Sequence, residues 1–425
     1  MHRCISCGFC LPTCPTYNAS LLERSSPRGR LRLIKAVAYG ELPVSDIFAE
    51  EMSYCLACRA CETACPAGVQ YGKLAEAARA FVREQRPPRF WPRLLRTLIL
   101  EKIFPYPNRL NLLGRLLYWS QRLKLPEIGL ATGVLKLWPA LARITPLAPR
   151  VAGKFSHQIV PAHLPARGAR RGRVGVLSGC VAGLIYPDVN LDTVEVLARN
   201  GWEVVVPPQQ RCCGSLHGHT GDHATAMMLA RHNIDVFLAA GVQAIIVNAA
   251  GCSSFMKEYD FLLADDPEYA EKAKTVAHMT RDICEFLAET GFTPPLTRGD
   301  GGDKVRVTYH EACHLAHAQK IRSAPRRVLA AIPGLALVEL PESDWCCGSA
   351  GIYNVVRHKD AEVFLERKMK NIESTGASIV VSGNPGCSVQ LEYGARSRGL
   401  ALQVRHPVSL LAEAYRSENG AERET

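Results

Sequence analysis

The sequence is poor in the features that carry a chain out of the cell or through a bilayer. It opens Met1-His2-Arg3-Cys4, with no apolar run and no small-residue cleavage site, so a secretory signal peptide is not expected. No stretch of about 18 uncharged apolar residues occurs, which argues against a transmembrane helix. A G-x-G-x-x-G fingerprint is also missing, so flavin and nicotinamide sites belong on another chain. Acid is scarce in one segment: residues 86–173 hold 17 Lys/Arg against Glu101 and Glu127 alone, a local balance of +15. The whole chain carries +11, so the remainder sums to about −4 and the basic character belongs to that segment. With 47% hydrophobic and 21% charged residues, disorder and collagen-like structure are excluded. A length of 425 residues allows two or three domains.

What the sequence has in quantity is cysteine, 17 residues. Without a signal peptide these point to a cytoplasmic metalloprotein rather than a disulfide scaffold. Residues 4–15 read Cys4-x-x-Cys7-x-x-Cys10-x-x-x-Cys14-Pro15, and residues 55–66 repeat the pattern as Cys55, Cys58, Cys61, Cys65 and Pro66. This is the spacing of bacterial two-cluster ferredoxins, in which the fourth cysteine of each run serves the other cluster. The expected ligand sets for two [4Fe–4S] clusters are therefore Cys4, Cys7, Cys10 and Cys65, and Cys55, Cys58, Cys61 and Cys14. Zinc prefers two separated pairs to an unbroken run of four followed by proline. Leu31, Leu33, Ile34 and Val37 between the runs, and Leu74, Ala77, Ala78, Phe81 and Val82 after them, have helical spacing. The expectation is a mainly helical module over 1–85. Arg28, Arg30 and Arg59 either bring positive charge to the clusters or are solvated at helix ends.

The rest of the chain is a tandem duplication. Cys180, Cys212-Cys213-Gly214 and Gly251-Cys252 recur as Cys313, Cys346-Cys347-Gly348 and Gly386-Cys387, at offsets of 133, 134, 134 and 135 residues. Short apolar strands precede them: 203–206, 244–247, 337–340 and 379–381. Helical stretches at 189–199, 222–240, 325–332 and 358–374 alternate with these strands, which predicts α/β domains with parallel sheets. Ligands bind beyond the carboxyl ends of such strands, where these cysteines fall, so each quartet should converge on one pocket. An iron–sulfur cluster, a zinc ion or a redox-active disulfide could occupy it. Four plain buried thiols would not account for two copies of Cys-Cys-Gly. His217, His219 and His223, and His310, His314 and His317, lie close to these cysteines and are expected as hydrogen-bond partners rather than ligands. Cys284 has no counterpart in the other repeat and reads as a buried thiol.

The basic segment also carries Trp91, Tyr106, Tyr118, Trp119 and Trp138 among many leucines. Its leucines are expected to pack between the module and the repeats. Its arginine face is expected to meet an anionic membrane or an acidic partner. Nucleic acid explains the charge less well than the cluster-bearing architecture does.

Together these residues resemble the iron–sulfur subunits of dehydrogenases related to heterodisulfide reductase, and within that group the glycolate oxidase iron–sulfur subunits. The resemblance is carried by Cys7-Gly-Phe-Cys10 to Tyr17, Pro27-Arg-Gly-Arg30, Cys55 to Pro66, Arg231-His-Asn-Ile-Asp235, Gly251 to Tyr259, His317-Ala-Gln-Lys320 and Cys346 to Tyr353. It implies a helical ferredoxin module (1–85), a basic connecting segment (86–172) and two Cys-Cys-Gly domains (173–295 and 303–415). The implied role is electron transfer from a FAD-bearing 2-hydroxy-acid dehydrogenase subunit, which oxidises glycolate to glyoxylate, toward a quinone or other membrane acceptor. The implied localisation is cytoplasmic, or peripheral on the cytoplasmic face of the inner membrane. Rival readings are the equivalent subunit for lactate or glycerol 3-phosphate, and a catalytic heterodisulfide-reductase-like subunit. Against the last, the repeats end Cys252-Ser-Ser-Phe255 and Cys387-Ser-Val-Gln390, without the fifth cysteine of a noncubane centre. Relatives also carry a longer lead before the first cysteine.

Overall fold

The computed structural model describes residues 1–87, 90–296 and 304–421. The side chain of Trp91, residues 88–89 of the basic segment and residue 303 at the expected start of the second repeat lie outside the described residues. The described part of 1–87 contains no strand. Helices Pro27–Ala38, Asp46–Tyr54 and Tyr71–Gln85 pack around Ile34, Phe48, Met52 and Ala78. Pro27 starts the first of these, where its missing N–H costs nothing, and the Ser26 hydroxyl accepts from Gly29 N–H at 3.0 Å. Residue 29 must be glycine, because a Cβ there would lie 1.9 Å from the Glu23 carbonyl oxygen.

Nine strands occur among the described residues: β1 His163–Leu164, β2 Gly172–Leu177, β3 Trp202–Val205, β4 Ala244–Val247, β5 Thr280–Asp282, β6 Val305–Tyr309, β7 Leu335–Val338, β8 Ile379–Val381 and β9 Gln403–Arg405. The first sheet has the order β1-β3-β2-β4-β5 and the second β7-β6-β8-β9. Apart from the antiparallel edge strand β1, all pairs are parallel. Removing β1 leaves two sheets of one topology, as the cysteine offsets require. The strand β1 falls inside the expected connecting segment; bracketed by Pro161 and Pro165, it is too short to show any alternation in the sequence.

The two repeats share one core. Helix Pro187–Arg199 lies against Pro407–Ala421, and Ile283–Thr290 against Ser323–Ala330, so the first helix of each repeat packs on the last helix of the other. Val194, Leu197, Ile283, Leu287, Val328 and Leu411, all buried, form a single apolar cluster there. Arg416 closes the seam on Asp192 at 2.8 Å and Glu195 at 2.7 Å.

The connecting segment departs from expectation. Leu100 and Leu110 are buried, but Leu112, Leu116, Trp119 and Leu123 on helix Pro107–Arg122 and its C-cap are each more than half exposed. The leucines therefore do not all pack between module and repeats. The helix buries Leu110 and Gly114 on its inner face, against Phe155 and Leu184, and turns an apolar stripe outward.

Both Cys-Cys-Gly turns need glycine, since Gly214 and Gly348 have φ of +89° and +88°. Their surroundings differ: a Cβ at 348 would meet the Ala361 carbonyl oxygen at 2.6 Å, one at 214 the Ala226 oxygen at 3.3 Å. Gly348→Ala should therefore destabilise the protein by about 2–3 kcal/mol and Gly214→Ala by about 1 kcal/mol. Urea midpoints of the two variants check the order.

Candidate metal centres

Within the helical module the two cysteine runs adopt the same backbone. Ser6 and Ala57, each just before the second cysteine of its run, have φ of 56° and 51°. Gly8 and Arg59, each just after it, have φ of 89° and 64°. Three of these four are not glycine, and non-glycine residues in the left-handed region persist where surrounding contacts enforce them. Such turns aim successive N–H groups inward at an anion. One such donor is visible: Ala57 N–H reaches Cys55 Sγ at 3.4 Å.

Cys14, Cys55, Cys58 and Cys61 line one cavity, together with Thr16, Arg30 and Tyr71. The structure thus brings the fourth cysteine of the first run to the first three of the second. Cys14, Cys55 and Cys61 are buried and Cys58 half-buried. Cys4, Cys10 and Cys65 are half-buried and Cys7 is exposed, so the other expected set lies nearer the surface. Cys10 packs with Cys55, Cys61 and Tyr71 between the two.

The charge of the first cavity's thiols is met from one side. Arg30 is 1% exposed, donates to Thr16 Oγ1 (2.9 Å) and the Glu51 carbonyl (2.8 Å), and pairs with the Glu51 carboxylate at 3.4 Å. Burial works against its charge, but Cys55, Tyr71, Cys14 and Glu51 hold the guanidinium protonated. Burial likewise pushes the Cys55 thiol up, yet Arg30 and Arg79 outweigh it and hold it below a thiol's ordinary value. Tyr71 donates its hydroxyl to the same sulfur at 3.7 Å. Four convergent sulfurs, a buried guanidinium and inward N–H and O–H donors fit a [4Fe–4S] cluster, whose potential depends on such charge and hydrogen bonds. Arg28 pairs with Glu23 (2.7 Å) and donates to the Ser6 carbonyl in the first cysteine run (3.0 Å), while Arg59 also lines the cavity and ties Glu62 (3.0 Å) to Glu258 of the first repeat (2.7 Å).

In the first repeat Cys180 and Cys212 bring their sulfurs to 3.5 Å. The buried Asn233 amide donates to the Cys212 carbonyl (3.0 Å) and Tyr259 hydroxyl to the Cys213 carbonyl (2.6 Å), fixing the pair from behind. Leu177 and Cys213 share one apolar cluster, against which Cys252 packs. Cys180 and Cys213 are held well above a thiol's ordinary value, with sulfur–sulfur hydrogen bonds and burial as the causes.

In the second repeat Cys346, Cys347 and Cys387 are buried and Cys313 half-buried. Asn384 donates to Cys387 Sγ at 3.3 Å and accepts from Gly251 N–H at 3.2 Å, linking the two repeats' closing loops. Cys313 sits 3.5 Å from His314 Nδ1. Its hydrogen bond from Cys346 and the neighbouring His314 hold Cys313 below the ordinary thiol value against the effect of burial. The fifth-cysteine positions are filled by Phe255 and Gln390, both buried, the latter bonded to Asn354 at 2.8 Å.

Most of the histidines are bonded away from the sulfurs. His217 reaches the Leu100 carbonyl (2.6 Å), His219 the Glu76 carboxylate (2.6 Å) and His317 the Thr63 hydroxyl (3.0 Å); all three tie the module or the connecting segment to the repeats. His314, beside Cys313, and His310 are the exceptions: for His310 a ring nitrogen, Cys347 Sγ and Cys387 Sγ all lie within 4.8 Å of one another. Cys284 is 2% exposed on helix Ile283–Thr290, away from both pockets.

The module and the second repeat meet at sulfur. Cys58 and Cys313 pack in one apolar cluster with Leu56, Cys346, Tyr353 and Phe364. The dicluster module, sealed against two strand-end thiol pockets, defines a class of iron–sulfur proteins, and comparison with known proteins agrees. A family model described as 4Fe-4S dicluster domain matches residues 1–69, one for the linker region of glycolate oxidase iron–sulfur subunits matches 91–148, and a cysteine-rich domain matches 174–257 and 307–392.

Two relatives extend over nearly the whole length. The probable glycolate oxidase iron–sulfur subunit of Bacillus subtilis is 37% identical, with 97% of this chain and 93% of the relative covered. The glycolate oxidase iron–sulfur subunit of Escherichia coli is 32% identical, with 98% and 95% covered. Lactate utilization protein A of Shouchella clausii is 31% identical over 56% of this chain and 98% of its own. The chain belongs to the glycolate oxidase iron–sulfur subunit family.

Removing Arg30 would take away one of the two arginines on Glu51, which is 4% exposed and also held by Ser25 at 3.0 Å and by Arg24 at 3.1 Å. Because Arg24 still compensates the carboxylate, Arg30→Met should cost about 2–3 kcal/mol, below or at the low end of the range for an uncompensated buried charge. Adding Glu51→Gln should recover part of the loss, read as urea midpoints in a double-mutant cycle.

Proposed function

We propose that this chain is the electron-transferring subunit of a glycolate-oxidising complex, receiving electrons from a FAD-bearing partner and delivering them toward a quinone or other membrane acceptor. The observation that carries the reading is a run of cysteine contacts from surface to interior. It leads from exposed Cys7 and half-buried Cys10 to Cys55 and Cys61, then from Cys58 to Cys313 and Cys346. In this reading Cys4, Cys7, Cys10 and Cys65 hold the entry cluster, and Cys14, Cys55, Cys58 and Cys61 hold the second. The quartets Cys180/Cys212/Cys213/Cys252 and Cys313/Cys346/Cys347/Cys387 hold further metal. The redox chemistry is the clusters' own; the chain supplies ligands, burial and tuning charge. Ile5, Phe9 and Leu21, each more than 60% exposed, surround the first run and suit a docking partner. Glycolate is favoured over lactate because the likeness to glycolate oxidase subunits includes the connecting segment, whereas the lactate-utilization relative covers 56% of this chain.

Iron and acid-labile sulfide on anaerobically prepared protein, with EPR of the reduced sample, test the assignment. Two interacting cubane signals are expected, with about 16 irons per chain if both quartets carry four-iron clusters, about 12 if one does, and about eight if they carry another metal or none. A preparation without iron would overturn the electron-transfer reading.

The connecting segment supports a peripheral membrane contact. Leu112, Leu116, Trp119 and Leu123 follow one another at helical spacing on the outer face, and Arg109, Arg115 and Arg122 accompany them. An apolar stripe with basic flanks suits an anionic lipid surface. No described helix is long and apolar enough to cross a membrane. In flotation with phosphatidylglycerol vesicles the chain should bind, and Leu116→Glu/Trp119→Glu should reduce binding at least about tenfold, the effect of roughly 1.4 kcal/mol. Equal binding by wild type and variant would reject the contact.

A further inference from the structure

The two Cys-Cys-Gly pockets have the same topology and the same four cysteines, yet their surroundings differ at matched positions: His314 beside Cys313 replaces Val181 beside Cys180, and two further differences lie deeper. Leu177 ends β2 and belongs to the apolar cluster that also contains Cys213 and has Cys252 packed against it. Its counterpart one repeat later, three residues before Cys313 as Leu177 is three before Cys180, is His310. His310 follows β6 directly, and its N–H donates to the Val381 carbonyl at 2.9 Å, which pins it between β6 and β8. From there its ring reaches Cys347 and Cys387, the counterparts of Cys213 and Cys252 in the cluster of Leu177.

The second position is Asn233, whose counterpart is Lys368. Both are fully buried and both clamp the loop before the cysteine pair: Asn233 on the Arg211 and Cys212 carbonyls, Lys368 on those of Glu342 and Ser343 at 2.5 and 3.1 Å. An amide is replaced by an amine that burial lowers to about 8, with Cys347 and Cys346 opposing that shift.

A histidine 1% exposed should have bonded ring nitrogens, because a buried polar group without a partner costs about 1–3 kcal/mol. Neither Nδ1 nor Nε2 of His310 finds an oxygen or nitrogen partner, and the group its ring acts on is the Cys347 thiol. The ring is therefore buried and turned to two thiols, where the other repeat keeps an alkyl chain. Imidazole and thiolate are both good donors for zinc and for iron.

We propose that the second Cys-Cys-Gly pocket is a mixed thiolate–imidazole metal site, with His310 a ligand beside Cys347 and Cys387 and the remaining donor drawn from Cys313 and Cys346. The first pocket is a thiolate-only site. The two halves of the duplication thus hold chemically different centres. This rests on the reading that the quartets bind metal, and the test separates the two.

The test is metal analysis and iron- and zinc-edge X-ray absorption on the intact, anaerobically prepared chain, with pulsed EPR of the reduced protein grown on 15N-histidine. Wild type should show imidazole scattering at the edge of whichever metal is bound and, where that metal is iron, a histidine nitrogen coupling. His310→Leu, which imports the residue tolerated in the first repeat, should lose both signatures along with the metal of one centre. The other centres should be retained. His310→Cys should recover that metal with a sulfur-only shell, which a merely structural histidine would not produce. Metal bound beyond the ferredoxin clusters but without imidazole, or signatures unchanged in His310→Leu, would overturn the inference and leave the electron-transfer reading standing. No metal beyond the two ferredoxin clusters would overturn it as well, by making both pockets thiol sites.

Discussion

Gathering several cysteine sulfurs at one buried point concentrates negative charge where water cannot screen it, and the rest of the architecture answers that constraint. In the helical module the answer is Arg30, brought to the Cys14/Cys55/Cys58/Cys61 cavity by a helix that starts at Pro27 and presses so closely on Glu23 that residue 29 has no room for a side chain. Arg30 could not sit there alone. Glu51 balances it, and Ser25 and Arg24 hold Glu51 in turn. The Pro-Arg-Gly-Arg stretch is therefore one device: a helix start, a close approach and a buried counter-charge.

The duplicated domains meet the same constraint by topology. Parallel strands direct every cysteine-bearing loop to one edge of each sheet, and the shared core of exchanged helices sets the two edges side by side. Asn384 then spans from the Cys387 sulfur to the backbone of the loop bearing Cys252. The module covers this edge through Arg59 on Glu258, Glu76 on His219 and Thr63 on His317. These polar contacts accompany the apolar cluster against which Cys58 and Cys313 both pack.

Much of this was legible in the sequence because cysteine spacing and repeat offset are discrete. Four offsets agreeing within two residues imply one fold used twice, and strand–helix alternation implies parallel sheets with ligands at the strand ends. The crossing of Cys14 to the second run followed from the spacing too. Other features depend on tertiary context. Left-handed Ser6, Ala57 and Arg59 leave no trace in residue type, because surrounding contacts rather than a missing Cβ hold them there. The outward leucines of the connecting helix have the same periodicity as inward ones; pattern reveals a stripe but not which way it faces. His310 was one of six histidines near the cysteines, and only the aligned positions of the two repeats, read with the packing of Leu177, set it apart from the five others.

Burial is graded along the cysteines. Cys7 is exposed, Cys58 and Cys313 are half-buried, and Cys347 is 1% exposed. Solvent stabilises the more negative state of a redox centre, so exposure alone would make the entry end the easier to reduce and would oppose inward flow. Charge placed by the chain can reverse that order. Arg30 and Arg79 lie beside Cys55, and in the second repeat His314 lies beside Cys313 while Lys368 clamps the loop before Cys346. The first repeat keeps Leu177 and Asn233 at the positions matching His310 and Lys368. Charged and basic groups thus stand beside the second ferredoxin run and the second repeat's cysteines, while the module also reaches the first repeat through Arg59 on Glu258 and Glu76 on His219. The two halves of the duplication share their sulfurs and differ in the charge placed near them, and such charge is a lever for tuning the potential of a redox centre.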